Sequence, residues 1–178
     1  YGPVLQEFVV KTRDGGDVQT WFSHPFALVH RTVEECPSFR ELLRKKLVQF
    51  PCSLSRPWRI IIYFDEVTPI DPTKQKVDKH KIQGFYWTFV EFQDMIYEEK
   101  VWFIVTCTPS VDVELLETGM SQLVKHVLKN CFFDERAHHF ERGGLALNIS
   151  ADSEIQIVRL FARHAITLAD FCALRVLF

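Results

Sequence analysis

Apolar and polar positions alternate over residues 4–10 and again over 18–22, the period of a half-buried strand. Asp14-Gly15-Gly16-Asp17 lies between the two runs, and this turn chemistry predicts a hairpin. Pro25 opens a stretch with helical patterning over 25–35, and Pro37 is read as its end. A second helix is expected over 38–49, with Phe39, Leu42, Leu43 and Leu47 at helical spacing. Ser38 would cap it, and Glu41 stands at the capping-box position. Residues 50–57 lack periodicity and carry paired Pro and Ser, which makes them the best internal boundary.

The texture changes after this boundary. Residues 58–64 form a continuous apolar run, the signature of a strand buried on both faces. Asp65-Glu66-Val67-Thr68-Pro69 is read as its end, followed by a polar, Lys-rich loop over 70–80. Strands are expected over 81–92 and 101–108, and an amphipathic helix over 119–132 with Met120, Leu123, Val124, Val127 and Leu128 on one face. Arg142-Gly143-Gly144 reads as a turn, and residues 145–149 and 155–157 as a small hairpin around Ala151-Asp152-Ser153. The apolar segment 158–169 fits either a strand or a helix; a strand ending near Ala169 is the preferred reading, and Asp170 would cap a helix after it. Three sequential strands and then a crossover helix predict an α/β fold with a mixed central sheet flanked by helices. The division expected is a small N-terminal α+β segment over 1–57 and a sheet-centred unit over 58–178.

Composition narrows the class. The 178 residues are 47% hydrophobic and 25% charged, a globular balance, and 16 Phe, 4 Trp and 4 Tyr suggest a core built on strands. The net charge of −2 excludes an overwhelmingly basic nucleic-acid binder but allows a local basic patch. No run of about 18 apolar residues is present, so no membrane partner is expected. The cysteines Cys36, Cys52, Cys107, Cys131 and Cys172 form no CxxC, and are read as reduced, mostly buried thiols of an intracellular protein. The chain opens at Tyr1 and stops at Phe178 inside an apolar run, so further sequence is expected on both sides.

Candidate chemistry concentrates at two strand ends. Asp65 follows the most apolar run, and Asp170 follows the apolar Ile166-Thr167-Leu168-Ala169. In sheets covered by helices, sites form at the carboxyl ends of strands. Carboxylates from two such ends are what a two-metal site needs, and hard oxygen ligands suit Mg²⁺ or Mn²⁺. The plain alternative is a turn-forming Asp65 and a helix-capping Asp170. Glu66 would point to the opposite face if the strand continues. Lys74, Lys76, Lys79 and Lys81, with His80, could contact phosphates, or could be a solvated loop diluted by Asp71 and Asp78. His138-His139 is adjacent rather than spaced for a metal and reads as loop. Phosphate-loop, dinucleotide, zincin and nucleophile-elbow signatures are absent.

As an ordered set, Trp58 to Pro69, Lys79 to Val90 and Leu168-Ala169-Asp170-Phe171-Cys172-Ala173-Leu174 resemble the catalytic core of eukaryotic transposase-derived proteins of the CACTA/KDZ-like, DDE/DDD type. The resemblance implies an RNase H-like core over 58–178 and a nuclear protein that acts on DNA, with an oligomer possible in the full-length protein. Asp65 would bridge two Mg²⁺ or Mn²⁺ ions, Asp170 would hold one of them, and Glu66 would support the site from behind. A third acid would lie beyond Phe178, so the chain as given would be inactive. The implied chemistry is phosphodiester cleavage and strand transfer by a two-metal mechanism. Two other readings stay open: a non-catalytic interaction module on the same fold, and another RNase H-like nuclease.

Overall fold

A computed structural model describes residues 1–67, 81–132, 140–150 and 156–169. The Lys-rich loop, the His138-His139 pair, the turn around Asp152 and the helix expected from Asp170 lie outside the described residues.

The N-terminal hairpin forms as the alternation predicts. Strands β1 (Leu5–Lys11) and β2 (Asp17–Ser23) pair antiparallel, with Lys11 opposite Asp17. Phe8, Val10, Val18, Thr20 and Phe22 face inward while Leu5, Val9 and Trp21 stay exposed. In the turn, Asp14 accepts a hydrogen bond from the Gly16 amide at 3.1 Å and one from the Thr12 hydroxyl at 2.5 Å. The Thr12 bond is the main reason that the Asp14 carboxyl is held below its ordinary pKa.

Helix α1 (Pro25–Glu35) leads directly into α2 (Pro37–Gln49). Here the expected cap is corrected. Pro37 does not only end α1; it begins α2, and Cys36 takes the N-cap position with no side-chain capping bond. Proline suits a first turn because the missing N–H has no partner there in any case. Ser38 therefore falls inside the helix, and Glu41 pairs with Arg44 at 2.8 Å rather than closing a capping box. The Cys36 thiol meets the Ser38 hydroxyl at 3.3 Å, which with the Phe39 backbone pulls its pKa below the usual thiol value. Among the described cysteines, Cys36 should thus be alkylated first by iodoacetamide near neutral pH, and Ser38→Ala should slow it. Peptide mapping of early time points checks this; faster labelling at Cys107 would contradict it.

The central sheet has four strands: β3 (Trp58–Val67), β4 (Ile82–Phe89), β5 (Phe103–Pro109) and β8 (Ala162–Ala169), in the order β5-β4-β3-β8. β3, β4 and β5 run as an antiparallel meander, and β8 returns parallel to β3, so the sheet is mixed as expected. The chain between β5 and β8 supplies α3 (Ser110–Leu115), α4 (Met120–Val127), and the two-stranded β6 (Leu145–Asn148) and β7 (Ile157–Leu160).

Several boundaries differ from the pattern. β3 does not stop before Asp65: its ladder with β4 continues through Asp65–Gly84 and Val67–Ile82. β4 ends at Phe89, and Val90–Tyr97 folds into 3-10 turns broken by Gln93 at φ 54°. The regular part of the expected 119–132 helix is confined to α4, and Leu128–Phe132 widens into a π turn. The second strand of the small hairpin lies at β7, later than expected.

One face of the sheet builds the core. Ile60, Ile62 and Phe64 of β3 join Phe85, Trp87 and Phe89 of β4, and all are essentially buried. Phe26, Phe39, Phe132 and Phe140 cover them from the helical side. Residues on both sides of the 50–57 segment share this hydrophobic cluster, from Val10 and Phe22 to Leu160. The hairpin is tied on by Thr106, whose hydroxyl donates to the Trp21 carbonyl at 2.7 Å. Glu91, also buried, accepts from the Arg59 amide at 2.9 Å and its guanidinium at 3.1 Å, which satisfies a carboxylate that would otherwise be expensive to bury. Among the described cysteines only Cys131 is fully buried; Cys36 and Cys52 are intermediate and Cys107 is exposed, so the expectation of mostly buried thiols is corrected.

His126 of α4 stacks on Phe8 with ring centroids 5.5 Å apart. Burial, then the Lys125 and Lys129 charges, push its pKa below the ordinary 6.5. The unfolded chain then takes up a proton before the folded one does. Stability is therefore expected to fall as pH drops from 6.5 through the lowered value, and to be indifferent to this group above it. Comparing melting of the wild type and His126→Phe between pH 7.5 and 5 tests this: the variant should lose that part of the slope.

Candidate functional site

The other face of the sheet carries the candidate site. Within β3, side chains alternate between faces, so Asp65 shares a face with Ile61 and Tyr63 while Glu66 lies with Phe64. Asp65 is half-buried. Its partners across the sheet are Gly84 on β4 and, one strand further, Cys107 on β5.

Gly84 makes this arrangement possible. A Cβ at that position would lie 2.5 Å from the Tyr86 Cε2 and hydroxyl. With hydrogen in place of a side chain, the Tyr86 ring folds back along its own strand beside Asp65. Its hydroxyl is directed toward Cys107, and burial, then the Cys107 and Asp65 charges, push the Tyr86 pKa up. Burial also raises the Cys107 thiol.

Asp65, Tyr63, Val67, Tyr86, Glu99, Trp102 and Ile104 line a groove of about 500 Å³. Tyr63 is 6.1 Å from both Tyr86 and Trp102, centroid to centroid. The Trp102 indole is fixed by its N–H, which donates to the Ile96 carbonyl at 2.7 Å. Neither the Asp65 nor the Glu99 carboxylate has a hydrogen bond or ion pair among the described residues. Beyond Tyr63 the same face continues into exposed apolar surface on β8, where Ile166 and Leu168 are 44% and 46% exposed.

Glu66 belongs elsewhere. It ion-pairs with Lys81 at 3.1 Å and accepts from Gln83 at 2.6 Å and Ser110 at 3.2 Å. It is thus on the opposite face from Asp65, where support from behind would need a contact that these bonds do not provide. Lys81 is the one candidate phosphate contact among the described residues, and it is engaged with Glu66. Lys74, Lys76 and Lys79 lie outside the described residues, as does Asp170. The last rung of the parallel pair is nevertheless described: Phe64 of β3 faces Ala169 of β8. Asp65 and Asp170 are the next residues along the two strands' sequences. The described residues contain no cluster of three or more His, Cys, Asp or Glu able to hold a metal.

The sequence pattern singles out Asp65 but not its surroundings. Gly84, Tyr86 and Trp102 carry no mark there beyond that of strand and core residues. A glycine inside an aromatic strand is the available signal, since it often marks close approach by another group.

Comparison with protein-family models, curated proteins and solved structures finds no match. No described helix is long and apolar enough to cross a membrane.

Proposed function

We propose that the chain is part of a transposase-derived, RNase H-like protein whose chemistry is metal-dependent cleavage and joining of DNA phosphodiesters. The observation that carries this reading is the pairing of β3 with β8. The two strands whose sequences run into Asp65 and Asp170 are adjacent and parallel, with Phe64 opposite Ala169. Had these strands been separated in the sheet, one metal pair could not have used both aspartates. In this reading Asp65 and Asp170 hold Mg²⁺ or Mn²⁺ at the carboxyl ends of the strands, where α/β sheets bind their ligands. The bound ions would polarise a phosphoryl oxygen, and Asp65 would fix their position from a strand locked on both sides. The basic residues at 74, 76, 79 and 81 would follow the DNA backbone, and a further acid from longer sequence would complete the ligand set. A nuclear full-length protein able to form an oligomer belongs to the same proposal.

A second reading is favoured by the aromatic groove: a non-catalytic interaction module that kept the fold. Thermal melting of the wild type and Asp65→Asn, each titrated with Mn²⁺, separates the two. The metal reading predicts a rise in melting temperature that the variant loses. A variant that is simply less stable, with neither protein responding to Mn²⁺, would favour the module.

A further inference from the structure

The groove beside Asp65 is built for charge of one sign and chemistry of one kind. Its walls are the rings of Tyr63, Tyr86 and Trp102, and its rim carries Asp65 and Glu99. Neither carboxylate has a cation among the described residues; the neighbouring Lys100 is turned to Glu98, 2.5 Å away. A hydrated metal ion gains little from aromatic walls. A guanidinium or alkylammonium gains from both features, because ring faces attract organic cations and carboxylates pair with their N–H groups. The surface outside the groove selects the source. Ile166 and Leu168 of β8, beside Ile61 and Tyr63, form an exposed apolar flank that a small free amine would leave uncovered, whereas a chain with apolar residues around the cation would cover it. The Trp102 ring, held by its bond to Ile96, is already in place to receive such a group.

We propose that this groove binds an arginine or lysine side chain presented, between apolar residues, by a polypeptide partner. The cation would take Asp65 in the metal-free protein and compete with a metal for that carboxylate, while Glu99 and Trp102 belong to the groove alone.

Two-dimensional ¹H–¹⁵N spectra of the indole groups test it, in buffer containing EDTA, with the Trp102 signal assigned from Trp102→Phe. The probes are acetyl-Leu-Arg-Leu-amide, its Gln counterpart and arginine amide. The expected result is a saturable shift of the Trp102 indole with the Arg peptide. Binding should be about tenfold weaker for the Gln peptide and for the Arg peptide with Glu99→Gln, the loss of one charge-assisted contact. Glu99 is exposed, so that variant should fold normally. Equal responses to the Arg and Gln peptides, no shift of Trp102, or binding untouched by Glu99→Gln would each overturn the proposal. Equal affinity for arginine amide and the Arg peptide would overturn the assignment to a polypeptide.

Discussion

Trp87→Ala is expected to destabilise the protein by about 3–5 kcal/mol. The indole is fully buried at the centre of the sheet's inner face. It touches Phe89, Phe103, Phe132 and Phe140, with ring centroids 5.0–5.7 Å apart, and so joins β4 to β5 and to the segments that cover the sheet. Alanine would remove the transfer free energy of the ring and leave a cavity that rigid strands cannot close. The indole N–H, however, has no hydrogen-bond partner among the described residues. An unpaired buried donor carries a penalty of about 1–3 kcal/mol, which Phe at this position would remove. Trp87→Phe is therefore expected to recover much of the loss. Urea unfolding midpoints check the pair; a Phe variant as unstable as the Ala variant would mean that the indole N–H is satisfied in solution.

Gly84→Ala should destabilise by about 1–3 kcal/mol, the usual range for overpacking. The new methyl would overlap the Tyr86 ring and hydroxyl, 2.5 Å from both. Gly84 cannot yield, because it is held in the ladder between Asp65 and Cys107. The half-buried Tyr86 must swing out, which breaks its contact with Cys107 and removes one wall of the groove. Cys107 labelling should then accelerate as its cover is lost. In the background of Tyr86→Ala the same glycine change should have a much smaller effect, a coupling that a double-mutant cycle measures directly. Additive effects would show that the ring does not rest on Gly84.

The N-terminal hairpin, the two helices and the mixed sheet are legible in the sequence because each rests on local chemistry. A Gly-Gly turn, two prolines and runs of Ile and Phe have few ways to fold. What is not legible depends on partners remote in sequence. β3 runs past Asp65 because β4 offers Gly84, Gln83 and Ile82 to continue the ladder, and the local Asp-Glu pair gives no hint of that. Ser38 has the right spacing to Glu41 for a cap, but Pro37 fixes the helix start one residue earlier. Asp65 itself stands out by its place after an apolar run. Its neighbours Trp102 and Glu99 enter the groove through the short 3-10 segment before β5, a geometry with no periodic signature.

Whether β3 ends in a cation site is read most sharply from the selective broadening of backbone amide signals by substoichiometric Mn²⁺, in the wild type and in Asp65→Asn. Paramagnetic broadening is steepest nearest the ion. A metal held by Asp65 should broaden Asp65, Glu66 and Gly84 first, and the effect should disappear in the variant. Uniform broadening, or first effects at distant exposed carboxylates such as Glu34 and Glu35 with Asp65 untouched, would contradict a cation site at the end of β3.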